Sequence, residues 1–118
     1  MEICDKIYIK TRHTFTAIRL DNITYMEKRE RQITVHVAEG DDVCFYGKYD
    51  SVMPQLDERF THPHESYIIN MDQIFRLGCN EAVLYGGETL VFGNRCFGRL
   101  KQAYEGYIRN HISKRLGI

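Results

Sequence analysis

Polar and apolar residues alternate along the first half of the chain. Residues 6–10 (KIYIK) put Ile7 and Ile9 on one face, the two-residue period of a half-buried strand. Residues 15–20 (FTAIRL) form a second such run, with 12–14 as the turn between them, and residues 23–26 (ITYM) form a third. In residues 32–38 (QITVHVA), Ile33, Val35 and Val37 share a face. The segment 39–42 (EGDD) has turn chemistry, and 43–46 (VCFY) returns as a strand, which predicts a hairpin over 32–46.

The period then changes. Val52, Leu56 and Phe60 are four apart, which predicts one face of a short helix over 50–60. Asp50 or Ser51 is placed to cap it by accepting from free amides of the first turn. Pro54 falls in or near that turn, where a missing N–H costs little. The polar stretch 57–63 (DERFTHP) reads as a helix exit and loop. Residues 66–71 (SYIINM) are aromatic and β-branched, so they read as a strand.

A short edge or connecting segment follows at 72–76. Residues 81–85 and 89–92 flank Gly86, Gly87 and Glu88 as a tight hairpin. Asn94 stands where it could cap a terminal helix. Phe97, Leu100, Tyr104, Tyr107, Ile108 and Ile112 recur there at helical spacing, weakened by Gly98 and Gly106. The order is many strands, one short helix, more strands and a last helix: a mostly-β chain without repeat, low-complexity tract or linker.

At 118 residues the chain is expected to be one domain, 1–118, with a single sizeable core. It has no run of the roughly 18 apolar residues that a membrane span needs. Its N-terminus lacks the basic and apolar regions of a secretory signal. The four cysteines, at 4, 44, 79 and 96, form no C-x-x-C pair, so reduced thiols in a cytoplasmic protein are the expectation. Net charge is zero, which by itself speaks against nucleic acid, but its distribution is uneven. Residues 1–38 carry net +2, residues 39–93 net −7 and residues 94–118 net +5. Positive charge gathers at 28–31 (KRER) and in the last segment, and local clusters matter more for phosphate affinity than the total.

Chemistry points to binding rather than catalysis. His62, Pro63, His64 and Glu65 resemble part of a metal site, yet no partner follows at ligand spacing and Cys79 is distant. No nucleophile elbow or Gly-rich phosphate loop is present. No catalytic residue, metal or cofactor is therefore expected.

Residues 60–70 (FTHPHESYIIN) are the densest motif. Pro63 restricts His62 to extended backbone, so His64, Glu65 and Ser66 stand at a loop-to-strand junction. Two readings stay open from the residues alone. Either Tyr67, Ile68 and Ile69 are core while His64 and Asn70 satisfy local backbone groups, or the junction presents side chains to a ligand.

The stretch resembles the central signature of the LytTR family of bacterial DNA-binding domains. An aromatic residue is followed by His64, a polar residue, Ser66, Tyr67, Ile68, Ile69 and Asn70. Residues 18–27 (IRLDNITYME), Phe45 and Tyr46, and residues 91–95 (VFGNR) extend the similarity from about Ile7 to Leu100. Two positions depart from the pattern: Glu65, where Arg or Asn is commoner, and Gly93, where a small polar residue is usual.

The resemblance implies stacked antiparallel sheets with one short internal helix and a C-terminal helix. It implies a cytoplasmic transcription regulator that reads double-stranded promoter DNA with loops in the major groove. Two copies would sit on repeated half-sites and bend the DNA. A receiver domain of a two-component response regulator, or another regulatory partner, would lie outside this chain. The DNA-contacting segments map to Lys28–Arg31, His64–Ser66 and Gly93–Arg95. Lys28 belongs to the first of these segments. Arg29, Arg31 and Arg95 can fork onto guanine or clamp phosphate. His64 and Ser66 can donate to either, and Asn94 can read adenine. Glu65 would accept from cytosine N4 or repel phosphate. The alternative is a LytTR-like protein-interaction module that has lost DNA affinity, favoured by Glu65 and the acidic middle segment.

Overall fold

The computed structural model describes residues 5–115. Among the described residues, ten strands make three antiparallel sheets. Strands β1 (Lys6–Lys10) and β2 (Phe15–Arg19) pair as a ribbon, in which Ile7 faces Ile18 and Lys10 faces Phe15. Its turn is closed by the Thr11 amide donating to the Thr14 carbonyl at 2.9 Å.

The central sheet has the order β5-β4-β3-β7-β6. Its members are β3 (Ile23–Arg29), β4 (Gln32–Val37), β5 (Val43–Tyr46), β6 (Phe60–His64) and β7 (Tyr67–Asn70). The third sheet joins β8 (Ile74–Gly78), β9 (Glu81–Leu84) and β10 (Thr89–Val91), and α1 (Asn94–Arg115) ends the described chain.

Strand periodicity explains the layers. Successive side chains point to opposite faces, so a strand buried on both sides needs apolar residues on both. On one face of the central sheet Met26, Ile33, Val35, Phe45 and Ile68 meet Ile7, Ile9 and Ile18 of the ribbon and Leu20 just after it. On the other, Tyr25 and Ile69 pack with Ile74, Ala82, Leu84, Leu90, Phe92 and Leu100. Burying each large side chain stabilises by about 1.5–3 kcal/mol. Helix α1 contributes Phe97, Tyr104 and Tyr107 to this second cluster, while Ile108 and Ile112, on its last turns, stay exposed.

Asn70 joins the layers. It is fully buried, and its Nδ2 donates to the Ile23 carbonyl at 2.8 Å and to the Leu20 carbonyl at 3.5 Å. Its Oδ1 accepts from the Asp72 amide at 2.9 Å. One amide therefore holds the corner before β3 against the corner after β7.

The segment 50–60 is a correction. It forms no α-helix but two single 3-10 turns, Tyr49–Ser51 and Met53–Gln55, closed by i→i−3 bonds such as Val52 to Tyr49 at 2.9 Å. Pro54 cannot donate the i→i−4 bond that an α-helical start at Asp50 requires. Neither turn has a side-chain cap; the Ser51 hydroxyl donates back to the Lys48 carbonyl at 2.9 Å. Val52, Leu56 and Phe60 do face one core together. Of the stretch 57–63, expected as a helix exit and loop, residues 60–63 belong to strand β6, with a bulge between Thr61 and His64 that accommodates Pro63. Helix α1 lies along this edge strand, and Arg99 Nη1 donates to the Pro63 carbonyl at 3.5 Å.

Among the described residues no helix is long and apolar enough to cross a membrane. Cys44, Cys79 and Cys96 are free thiols, and Cys4 lies outside the described residues.

Candidate nucleic-acid interface

The register of the central sheet decides which turns are neighbours. Strands β3 and β4 end at the pair Arg29–Gln32, which leaves Glu30 and Arg31 as a two-residue turn. Strands β6 and β7 meet at the pair His64–Tyr67, which leaves Glu65 and Ser66 as another. Because Glu27 pairs with Tyr67 in the antiparallel β3–β7 ladder, both turns lie at the same end of the sheet. The Lys28 amide donates to the Ser66 carbonyl at 2.8 Å and fixes one against the other.

The same end holds more than these turns. The Gly47 amide donates to the Arg31 carbonyl at 3.0 Å, which brings Tyr46 and Lys48 alongside. Tyr46 is 79% exposed. Beneath them, the buried Tyr49 donates its hydroxyl to the Ser66 carbonyl at 2.8 Å. The His62 ring meets Tyr49 edge-on at 5.3 Å, and the Lys28 ammonium stands 6.0 Å from its centroid. Burial pushes the Tyr49 phenol well above its ordinary pKa, so it remains a donor.

The third segment arrives from the other layer. Tyr67 contacts His64 on one side and Phe92 on the other, each at 5.8 Å between centroids. Gly93, Asn94 and Arg95 follow Phe92 directly, and Arg99, one helical turn on, reaches Pro63. Asn94 does not cap the helix as expected. Its Oδ1 accepts from Asn80 Nδ2 at 2.7 Å, and Asn80 also donates to the Phe92 carbonyl at 3.2 Å. Asn80 and Cys79 form the β8–β9 turn with positive φ (62° and 54°), which aims the amide at the start of the helix.

All eight residues singled out from sequence thus fall in three segments gathered near one end of the molecule. Arg29, Arg31, Glu65, Asn94 and Arg95 are exposed, and Lys28, His64 and Ser66 are half-buried. His64 has a structural bond as well: its Nδ1 accepts from the Ser66 amide at 3.0 Å, which leaves Nε2 as the ring's donor. Lys28, Glu30, Glu65 and Ser66 line one groove, and Arg29, Glu30, Arg31, Gln32 and Tyr46 line a second beside it. Glu30 has a positive φ of 57°, a conformation that usually selects glycine. Sequence reasoning missed Glu30, Lys48 and Arg99 here. Lys48 could have been read from its place just after β5; Arg99 required knowing that α1 crosses β6.

The LytTR DNA-binding domain family model matches residues 13–105, and the chain belongs to that family. Among solved structures it is similar to the LytTr DNA-binding domain of a protein described as a methyl-accepting/DNA response regulator from Bacillus cereus. The TM-score is 0.61 at 17% identity, over 90% of this chain and 94% of that one. That likeness establishes the fold. A comparison with curated proteins finds no match. The family is one of DNA-binding domains rather than enzymes, and DNA binding and transcription regulation follow from membership.

Proposed function

We propose that this chain is a single domain, 1–118, that binds double-stranded promoter DNA sequence-specifically through the turn end of its central sheet. The convergence of 28–31, 64–66 and 93–95 carries the reading. Backbone hydrogen bonds and buried side chains hold the first two turns, so their side chains are pre-ordered before DNA arrives. The turns enter the major groove and the flanking cations hold the intervening backbone. Arg31 and Arg95, exposed and with no ion pair among the described residues, fork onto guanine or phosphate. Lys28, Lys48 and Arg99 add phosphate contacts, and Tyr46 adds an apolar contact to a thymine methyl or sugar.

The domain acts in the bacterial cytoplasm as part of a two-component regulator, with two copies on repeated half-sites. A receiver domain or partner protein outside this chain controls it. Glu30 and Glu65 favour the second reading, a protein-interaction module of the same fold. They stand among the cations without a hydrogen bond or ion pair to any described residue.

Selection of bound duplexes from a random pool, followed by salt titration of the winner, separates the two. A DNA reader enriches one sequence and gives a log–log salt slope of about −0.9 per phosphate contact. Enrichment of nothing at low salt overturns the DNA reading in favour of the interaction module.

A further inference from the structure

A chain of polar side chains crosses β4 and β3 of the central sheet and ends at the β3–β4 turn. Arg29 Nε donates to Glu27 Oε2 at 3.4 Å. The other oxygen of the same carboxylate, Oε1, lies 3.0 Å from His36 Nε2 on the neighbouring strand. His36 Nδ1 in turn lies 2.8 Å from Asp42 Oδ2, and Asp42 Oδ1 accepts from the Val37 amide at 3.0 Å. The imidazole is stacked on Tyr25, 4.2 Å between centroids and 19° between planes. His36 and Glu27 side chains are each 19% exposed, whereas the Arg29 side chain at the head of the chain is 83% exposed.

The geometry is that of an oriented arginine. Glu27 stands on its inner side against a ring that has a carboxylate oxygen within hydrogen-bond distance of each nitrogen and is stacked on one face; the neutral ring donates from one nitrogen, the imidazolium from both. Such a carboxylate has little rotational freedom left to lose. It engages only Nε of the guanidinium, so the edge carrying Nη1 and Nη2 has no partner among the described residues, on a side chain that is largely exposed. That edge is the fork that matches a phosphate or the O6 and N7 of guanine. A free arginine loses much rotamer freedom on binding, and one already held by Nε loses less.

We propose that His36 and Asp42 are positioning residues for DNA contact by Arg29, acting through Glu27. The proposal rests on the reading of the turn end as the DNA-binding surface. It adds two residues remote from the three turns to the machinery that sets affinity.

A double-mutant cycle tests it, using the whole chain and the duplex enriched from the random pool. His36→Gln weakens binding by about threefold to tenfold in the wild-type background. In the Arg29→Ala background the same change costs less than about twofold, because the group it positions is gone. Asp42→Asn keeps the acceptor for Val37 and alters only the side facing His36, so it tests the same chain without risk to folding. Its effect is smaller and equally confined to proteins that retain Arg29. Equal losses in both backgrounds would make His36 a plain structural residue and overturn the proposal. So would no loss in either. A wild-type chain that binds no duplex overturns the DNA reading and this inference with it, an outcome distinct from a bound duplex with an uncoupled cycle.

Discussion

The two ends of β7 come from one contiguous motif and do opposite things. At its start, His64, Glu65 and Ser66 form a turn whose backbone is bonded from both neighbours and whose side chains face out or stand half-buried. At its finish, Asn70 has no exposed surface and spends its amide on three backbone groups. Both ends are polar, so polarity does not separate a binding position from a folding one. The separation comes from whether the polar atoms have partners inside the protein. A buried amide with its bonds made is architecture; an exposed arginine or glutamate without a bond is available to a ligand.

The sharpest way to break this contrast is to remove each polar group in turn. Asn70→Ala leaves the carbonyl of Ile23 and the amide of Asp72 buried or half-buried without their partner. It is expected to destabilise by about 2–4 kcal/mol, read as a fall in denaturant midpoint at unchanged slope. His64→Ala is expected to cost less than about 1 kcal/mol of stability while weakening duplex binding. Equal stability losses at the two sites would erase the distinction between the ends.

The next largest effects belong to exposed arginines of the turn end. Arg31→Ala and Arg95→Ala should each weaken specific duplex binding by about 1–3 kcal/mol, with the melting temperature unchanged. Filter or anisotropy titration alongside thermal unfolding checks both halves of the statement. A large loss of melting temperature with binding intact would move that arginine from ligand contact to architecture.

The same contrast explains what was legible beforehand. The hairpins could be read because each strand carries its period openly: Ile33 and Val35 alternate with polar residues and the EGDD turn follows. Strand β6 was hidden, because its residues Thr61, His62, Pro63 and His64 have no alternating apolar pattern. It is a strand through its pairing with β7 and the cover of α1. The spacing of Val52, Leu56 and Phe60 identified the right buried face but the wrong element. Paired 3-10 turns and an extended stretch also bring those residues to one core. At the site, the motif located the residues. It could not reveal that Tyr49 supports them from below, that Asn80 ties Asn94, or that Glu30 shares their groove. Those relations depend on register and on contacts between layers.

Glu65 offers a smaller and more discriminating change. Glu65→Arg removes a carboxylate from the groove it shares with Lys28, Glu30 and Ser66, and adds a donor fork. Nonspecific affinity is expected to rise and the salt slope to steepen by about 0.9 for one added phosphate contact. If Glu65 reads cytosine, preference at one base position disappears as well, by about 1–3 kcal/mol. Comparison of matched and singly substituted sites separates repulsion from readout. No change in affinity, slope or preference would place this turn away from DNA.

The smallest expected effect tests how the exposed end is supported. Tyr49→Phe deletes only the hydroxyl that donates to the Ser66 carbonyl. The carbonyl keeps its bond from the Lys28 amide, so it is not left bare. The loss of stability should therefore be about 0.5–1.5 kcal/mol, the worth of one neutral hydrogen bond. Because the phenol is held neutral by burial, its contribution is present below its ordinary pKa of 10.0 and lost as pH rises above that value. The variant and the wild-type chain should thus converge in stability under alkaline conditions, with the difference largest at neutral pH. Duplex binding should fall by less than for Arg31→Ala, since the turn loses one of two anchors and no ligand contact. Chemical denaturation at neutral and alkaline pH, with a binding titration at neutral pH, measures all three. A Tyr49→Phe chain that loses as much binding as Arg31→Ala would show that support beneath the turn matters as much as the charges it presents.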